Sequence, residues 1–110
     1  MLFIELEAKH FFKEKKYQKI FCKKINGVTE FILFDRTRVD CITKNYAIEV
    51  DFASKWAESV GQSLYYADVT RKKAGVLLII EKQKDLKHLK RLKRLAKLYK
   101  IKVWIVKTYK

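Results

Sequence analysis

The segment Gly75-Val-Leu-Leu-Ile-Ile80 is apolar at every position, with no alternation between polar and apolar residues. A strand that faces water on one side alternates with a period of two, so an unbroken run of this kind belongs to a buried strand, parallel to a neighbour and covered on both faces. Such a strand needs helices to cover it. Lys84 to Lys100 is expected to be one, because Leu86, Leu89, Leu92, Leu95, Ala96 and Tyr99 share one stripe at helical spacing. Phe52 to Ala67 is expected to be another, with Ala53, Ala57, Val60, Leu64 and Ala67 on its apolar side. A third runs from Glu7 to about Lys24, where Ala8, Phe11, Phe12, Ile20 and Phe21 recur among lysines, with an interruption near Tyr17 and an end at Asn26-Gly27.

Between these helices lie shorter segments with strand character. Glu30–Phe34, Arg38–Thr43 and Tyr46–Asp51 are expected to form an antiparallel meander, with turns at Asp35-Arg36-Thr37 and Lys44-Asn45. Asp68 to Ala74 reads as a polar loop, and Lys102–Val106 as the last strand. The expected fold class is α/β, a mixed sheet flanked by helices in the order α-β-β-β-α-β-α-β. With 110 residues, no proline, three glycines and no Ser/Gly-rich tract, residues 1–110 read as one domain without a linker. Cys22 and Cys41 have neither C-x-x-C spacing nor histidines nearby, and are expected to be reduced, buried thiols rather than metal ligands. The opening Met1-Leu-Phe-Ile-Glu5 does not read as a signal peptide, and no apolar run approaches the ~20 residues of a membrane span, so a cytoplasmic location is expected.

Charge narrows the function. The net charge is +14, and from Lys82 to Lys110 twelve Lys/Arg stand against the single acid Asp85. Lys87, Lys90, Arg91, Lys93, Arg94 and Lys97 fall on the helix with the leucine stripe, and would form an outer cationic face once the leucines pack inward. The ordinary account of such a helix is a solvated surface; the excess of charge favours a polyanion footprint. Lysines contact phosphates without reading bases, so structure-selective or nonspecific binding to DNA or RNA is expected. Lys9, Lys13, Lys15, Lys16, Lys19, Lys23 and Lys24 could line a second wall. A short coiled-coil seam or an anionic membrane surface would need the leucines to be free.

Against this basic background stand four acids, Glu30, Asp40, Glu49 and Asp51, at strand-compatible positions. Alternation along a strand puts Glu49 and Asp51 on one face and Ile48 and Val50 on the other. On the following helix, ~100° per residue brings Lys55, Ser59, Gln62 and Tyr66 into one arc, with Glu58 at its margin, facing solvent or a ligand. The bland alternatives are a solvated hairpin whose acids pair with Arg36, Arg38 and Lys44, and an ordinary polar helix face. His10 and His88 read as surface histidines.

An acid ahead of the first strand, an Asp in the second, a Glu near the end of the third and a helix carrying Gln62-Ser-Leu-Tyr-Tyr66 together resemble the PD-(D/E)XK nuclease superfamily. The Q-x-x-x-Y element is similar to that of the RecB-like branch, and the small size and early glutamate to archaeal-type Holliday junction resolvases. The resemblance covers Glu30 to about Ile80 and implies a restriction-endonuclease-like fold. It implies Asp40 and Glu49 as ligands of Mg²⁺ or Mn²⁺, with Glu30 direct or through water and the Val50 carbonyl as a further oxygen. Gln62 and Tyr66 would touch substrate near the scissile phosphate. The implied activity is Mg²⁺-dependent hydrolysis of DNA phosphodiesters, and paired incision would require a homodimer, for which Phe31, Phe34, Trp56, Trp104 and Tyr109 are candidate contacts. The chain departs from the pattern where the motif lysine is expected, since Asp51 stands there. Two readings stay open: Lys55 supplies the ammonium from one helical turn away, with Asp51 as an added ligand or as a partner of Lys55, or the module binds nucleic acid without cutting it.

Overall fold

In the computed structural model, which describes residues 12–109, the apolar run occupies an interior strand of a five-stranded mixed sheet. It belongs to β4 (Lys73–Ile80), buried at every residue except Lys73. The strands β1 (Val28–Ile32), β2 (Arg38–Ile42), β3 (Tyr46–Phe52), β4 and β5 (Lys102–Lys107) lie in sequence order across the sheet. The first three are antiparallel, whereas β4 runs parallel to both β3 and β5.

Among the described residues three helices cover this sheet: α1 (Glu14–Lys24), α2 (Trp56–Thr70) and α3 (Leu86–Tyr99). The crossovers β3-α2-β4 and β4-α3-β5 account for the parallel pairs, as two parallel neighbours cannot be joined by a tight turn. On one face Ala74, Val76, Leu78 and Ile80 of β4 pack with Val60 of α2 and Leu89, Leu92 and Ala96 of α3. On the other, Leu77 and Ile79 pack with Val50, Phe52 and Tyr17 of α1. The α/β class thus follows from one strand that must be buried twice over. Gly75 answers a local demand on the α1 side, because a Cβ there would stand 2.7 Å from the Trp104 ring and 3.0 Å from Ile48.

Several expected boundaries shift, each for a local reason. The helix expected from Glu7 is described from Glu14 and runs unbroken through Tyr17, which is buried as a core aromatic; Glu7, Ala8, Lys9, His10 and Phe11 lie outside the described residues. The polar loop expected over Asp68 to Ala74 shrinks to Arg71 and Lys72. Arg71 takes the left-handed conformation (φ 60°), and Lys72 N donates to the Ala67 carbonyl at 3.1 Å. That closure ends α2 without a glycine and feeds β4 directly. Tyr99, expected on the buried stripe of α3, is exposed, and His88, expected at the surface, is half-buried.

The cysteines differ most from expectation. Cys22 of α1 and Cys41 of β2 are fully buried as expected, but they form a disulfide with Cα atoms 5.8 Å apart. Their spacing of 19 residues carries no sign of it, because the pairing arises from packing α1 against a strand with which it has no local connection. Among the described residues no helix is long and apolar enough to cross a membrane.

Candidate metal and nucleic-acid site

The acids gather where β2 parts from β3. The β2–β3 register is confined to Cys41↔Ile48 and Ile42↔Ala47. One step further along, at Asp40 and Glu49, carboxylates take the place of ladder bonds. Val50 N donates to Asp40 Oδ2 at 2.8 Å, and Asp40 N donates to Glu49 Oε2 at 3.2 Å. Strand alternation then brings Asp51 to the same face as Glu49, where Ser59 Oγ of α2 donates to Asp51 Oδ2 at 2.5 Å. Glu49 and Asp51 are both buried.

A further carboxylate enters from α1. The Glu14 side chain shares a hydrogen bond with Asp51 and lies within electrostatic reach of Asp40. Motif spacing along the strands misses Glu14, although a signal is present in the helix: among the lysines of α1, the residues Glu14, Tyr17, Gln18, Phe21 and Cys22 keep a strict helical stripe. Gln18, buried on that stripe, donates from Nε2 to the Asp40 carbonyl at 2.8 Å.

Crowding buried carboxylates raises their proton affinity, since burial penalises the charged form and each charge opposes the next. Glu49 is pushed up to about 9 by burial and by Asp40 and Asp51. Glu14 rises to about 7 through burial and the charges of Asp51 and Asp40. Asp40 rises to about 6 through burial, against the hydrogen bond from Val50 N that holds it down. Asp51 is raised by burial, and the hydrogen bonds from Ser59 and Glu14 oppose that rise. Four crowded hard oxygen donors of raised proton affinity are chemically suited to a divalent cation. Among the described residues no three His, Cys, Asp or Glu side chains are grouped as a ready metal-binding set.

The other expected residues divide. Glu30 sits within β1 rather than ahead of it, at the step opposite Asp40, with a left-handed backbone (φ 54°). Its carboxylate lies 3.6 Å from Lys15 Nζ, and its charge adds to the rise at Asp40. Val50 turns its side chain to the α1 core. Lys55 is exposed at the end of a 3₁₀ turn (Ala53–Lys55), close enough to Asp51 and Glu14 for its charge to favour their ionised forms.

Helix α2 keeps most of its expected apolar face, with Val60, Leu64 and Ala67, and Ala53 just ahead of it, packed against the core, but the buried face is wider than expected. Ser59, Ser63 and Tyr66 are buried against the sheet, whereas Ala57 is exposed. Tyr66 packs with Leu33, Val39, Ile42 and Ala47, and its hydroxyl is raised by burial and by Glu49, Asp40 and Asp35. Part of the polar stripe therefore faces the carboxylates from above; Gln62 is half-buried at its edge. The face widens because Ser59 donates to Asp51 and the Tyr66 side chain packs on Val39, Ile42 and Ala47. On α3, Lys87, Lys90, Arg91, Lys93, Arg94 and Lys97 are all exposed, with Leu89 and Leu92 packed inward. Of the aromatics considered for an interface, Phe31 and Phe34 are exposed, whereas Trp56, Trp104 and Tyr109 pack against the core. Compared with protein-family models, curated proteins and solved structures, the chain matches none of them.

Proposed function

We propose that this protein is a metal-dependent nuclease with a restriction-endonuclease-like arrangement of the PD-(D/E)XK kind, acting on DNA in a structure-selective or nonspecific way. The observation that carries the reading is the opening of β2 from β3 at Asp40 and Glu49, with Asp51 and Glu14 beside them under raised proton affinity. Asp40, Glu49 and Asp51 would hold Mg²⁺ or Mn²⁺, with Glu14 as a fourth carboxylate. Glu30 stands one shell further out. A bound cation of this type polarises a phosphate and lowers the pKa of an attacking water.

The chain's own groups do the remaining work. Lys55, exposed on the Asp51 side, supplies the ammonium that the motif position lacks and stabilises charge developing on the phosphate. Ser59 fixes the Asp51 carboxylate, and Gln18 fixes the backbone of Asp40. Tyr66 offers its hydroxyl beside the carboxylates, and Gln62 a hydrogen bond at the rim. The α3 cations hold the phosphate backbone without reading bases. Phe31 and Phe34 would serve a homodimer if incision is paired.

A second reading has its own observation. Asp51 replaces the motif lysine and is committed to Ser59 and Glu14, as suits a relative that binds nucleic acid without cutting it. The test is cleavage of labelled single-stranded, duplex and four-way-junction DNA with Mg²⁺, Mn²⁺ or EDTA, comparing wild type with Glu49→Ala and Lys55→Ala. Metal-dependent cutting lost in both variants supports the nuclease. Salt-sensitive binding with no cutting of any substrate moves the assignment to the inactive module.

A further inference from the structure

Three residues of α1, one turn apart, fasten it to the strands that carry the acids. Glu14, Gln18 and Cys22 are spaced by four and so lie on one face of the helix. Glu14 hydrogen-bonds Asp51, Gln18 Nε2 reaches the Asp40 carbonyl at 2.8 Å, and Cys22 is bonded to Cys41, the residue after Asp40. Beyond these, Tyr17 and Phe21 pack against Val50, Phe52 and Trp104, Tyr17 Oη donates to Glu81 Oε2 at 3.2 Å, and Lys15 Nζ lies 3.6 Å from the Glu30 carboxylate at the surface. The covalent link is also closely backed, since a Cβ on Gly27 would stand 2.6 Å from each sulfur.

We propose that the Cys22–Cys41 disulfide is a redox lock on the carboxylate site. Oxidised, it holds α1 so that Glu14 and Gln18 stay on Asp51 and Asp40; reduced, it lets α1 lift and the site loses its fourth carboxylate and the brace on Asp40. The inference rests on reading the carboxylates as a cation site. The reductant is a dithiol. Its thiolate attacks one sulfur and displaces the other cysteine as a thiolate, which takes up a proton. The second thiol then closes on the mixed disulfide and releases the remaining cysteine. Two electrons and two protons pass to Cys22 and Cys41, and the dithiol leaves as a cyclic disulfide. Both cysteines are fully buried, so attack waits on α1 opening from β2.

The test uses the full chain in two measurements. Amide hydrogen exchange is followed by mass spectrometry on oxidised and dithiothreitol-reduced wild type, and Mn²⁺ binding is followed by calorimetry on oxidised wild type and on Cys22→Ser/Cys41→Ser without reductant. The expected result is at least tenfold faster exchange across Glu14–Lys24 on reduction, with α2 and α3 unchanged, and Mn²⁺ affinity at least tenfold weaker in the double variant. Reoxidation should restore the slow exchange. Unchanged exchange in α1, or exchange rising equally in all three helices, overturns the lock. Equal Mn²⁺ affinity in the two proteins overturns it as well. If oxidised wild type binds no Mn²⁺, the cation reading itself fails, and the exchange data, which need no metal, show whether the tether stands without it.

Discussion

Glu49→Gln should make the metal-free protein more stable at neutral pH, although it removes the central acid of the site. Glu49 is buried, and its proton affinity is raised from the ordinary 4.5 to about 9. The folded protein therefore holds a proton at pH 7 that the unfolded chain has released. The associated stability is thus complete below pH 4.5 and is lost progressively as pH rises toward 9. At pH 7, two and a half units above the ordinary value at ~1.4 kcal/mol each, the loss is about 3 kcal/mol. A glutamine resembles the protonated acid, since it can accept from Asp40 N and donate to the Asp40 carboxylate as the protonated Glu49 does. It carries no such pH cost. Urea unfolding of oxidised protein in EDTA, from pH 4 to pH 9, should show the variant about 3 kcal/mol more stable at pH 7, with the gap closing near pH 4. With saturating Mn²⁺ the order should reverse, because only wild type gains a ligand of the folded state. A variant no more stable than wild type at pH 7 in EDTA would refute the account of Glu49 as a buried acid held protonated for want of positive charge.

Other outcomes rest on the same geometry. Ser59→Ala removes the 2.5 Å donor to a buried carboxylate and should cost about 1–3 kcal/mol by chemical denaturation; a neutral result would mean another group takes its place. The two glycines on α2 and β4 should respond in opposite directions. Gly61→Ala meets nothing within 4 Å at an exposed position of α2 and should stabilise by about 0.5–1 kcal/mol, whereas Gly75→Ala runs into Trp104 and Ile48 and should destabilise by about 1–3 kcal/mol. Thermal melts of both decide it. Mn²⁺ affinity should strengthen with pH between about 6 and 9, since Asp40, Glu14 and Glu49 must release protons to bind; affinity independent of pH would point to other ligands. Replacing Lys90 and Arg94 by alanine should lower the slope of log affinity against log salt for duplex DNA by roughly 0.9 for each phosphate that is no longer neutralised, and an unchanged slope would place DNA on another face.

Periodicity set the frame of this protein. An apolar run without alternation had to be a strand buried on both sides, and Gly75–Ile80 is one; the leucine stripe of α3 had to be its inner face, and Leu89 and Leu92 lie there. Such patterns belong to the chain itself, and alternation likewise puts Glu49 and Asp51 on one face. Whatever depends on how elements distant in sequence lie against one another was left to the folded state. On α2 the helical wheel places Val60, Leu64 and Ala67 inward, as they are, but not Ser59 and Tyr66, whose burial comes from Asp51 and from the apolar residues of β2 and β3, and it places Ala57 wrongly. Glu14 joins the acids, and Cys22 meets Cys41, only because α1 packs across strands that follow it in the chain. A spacing of residues fixes the face of one helix or strand; the angle and register between two such faces are set by close packing and by the pairing of buried polar groups, which no single segment encodes.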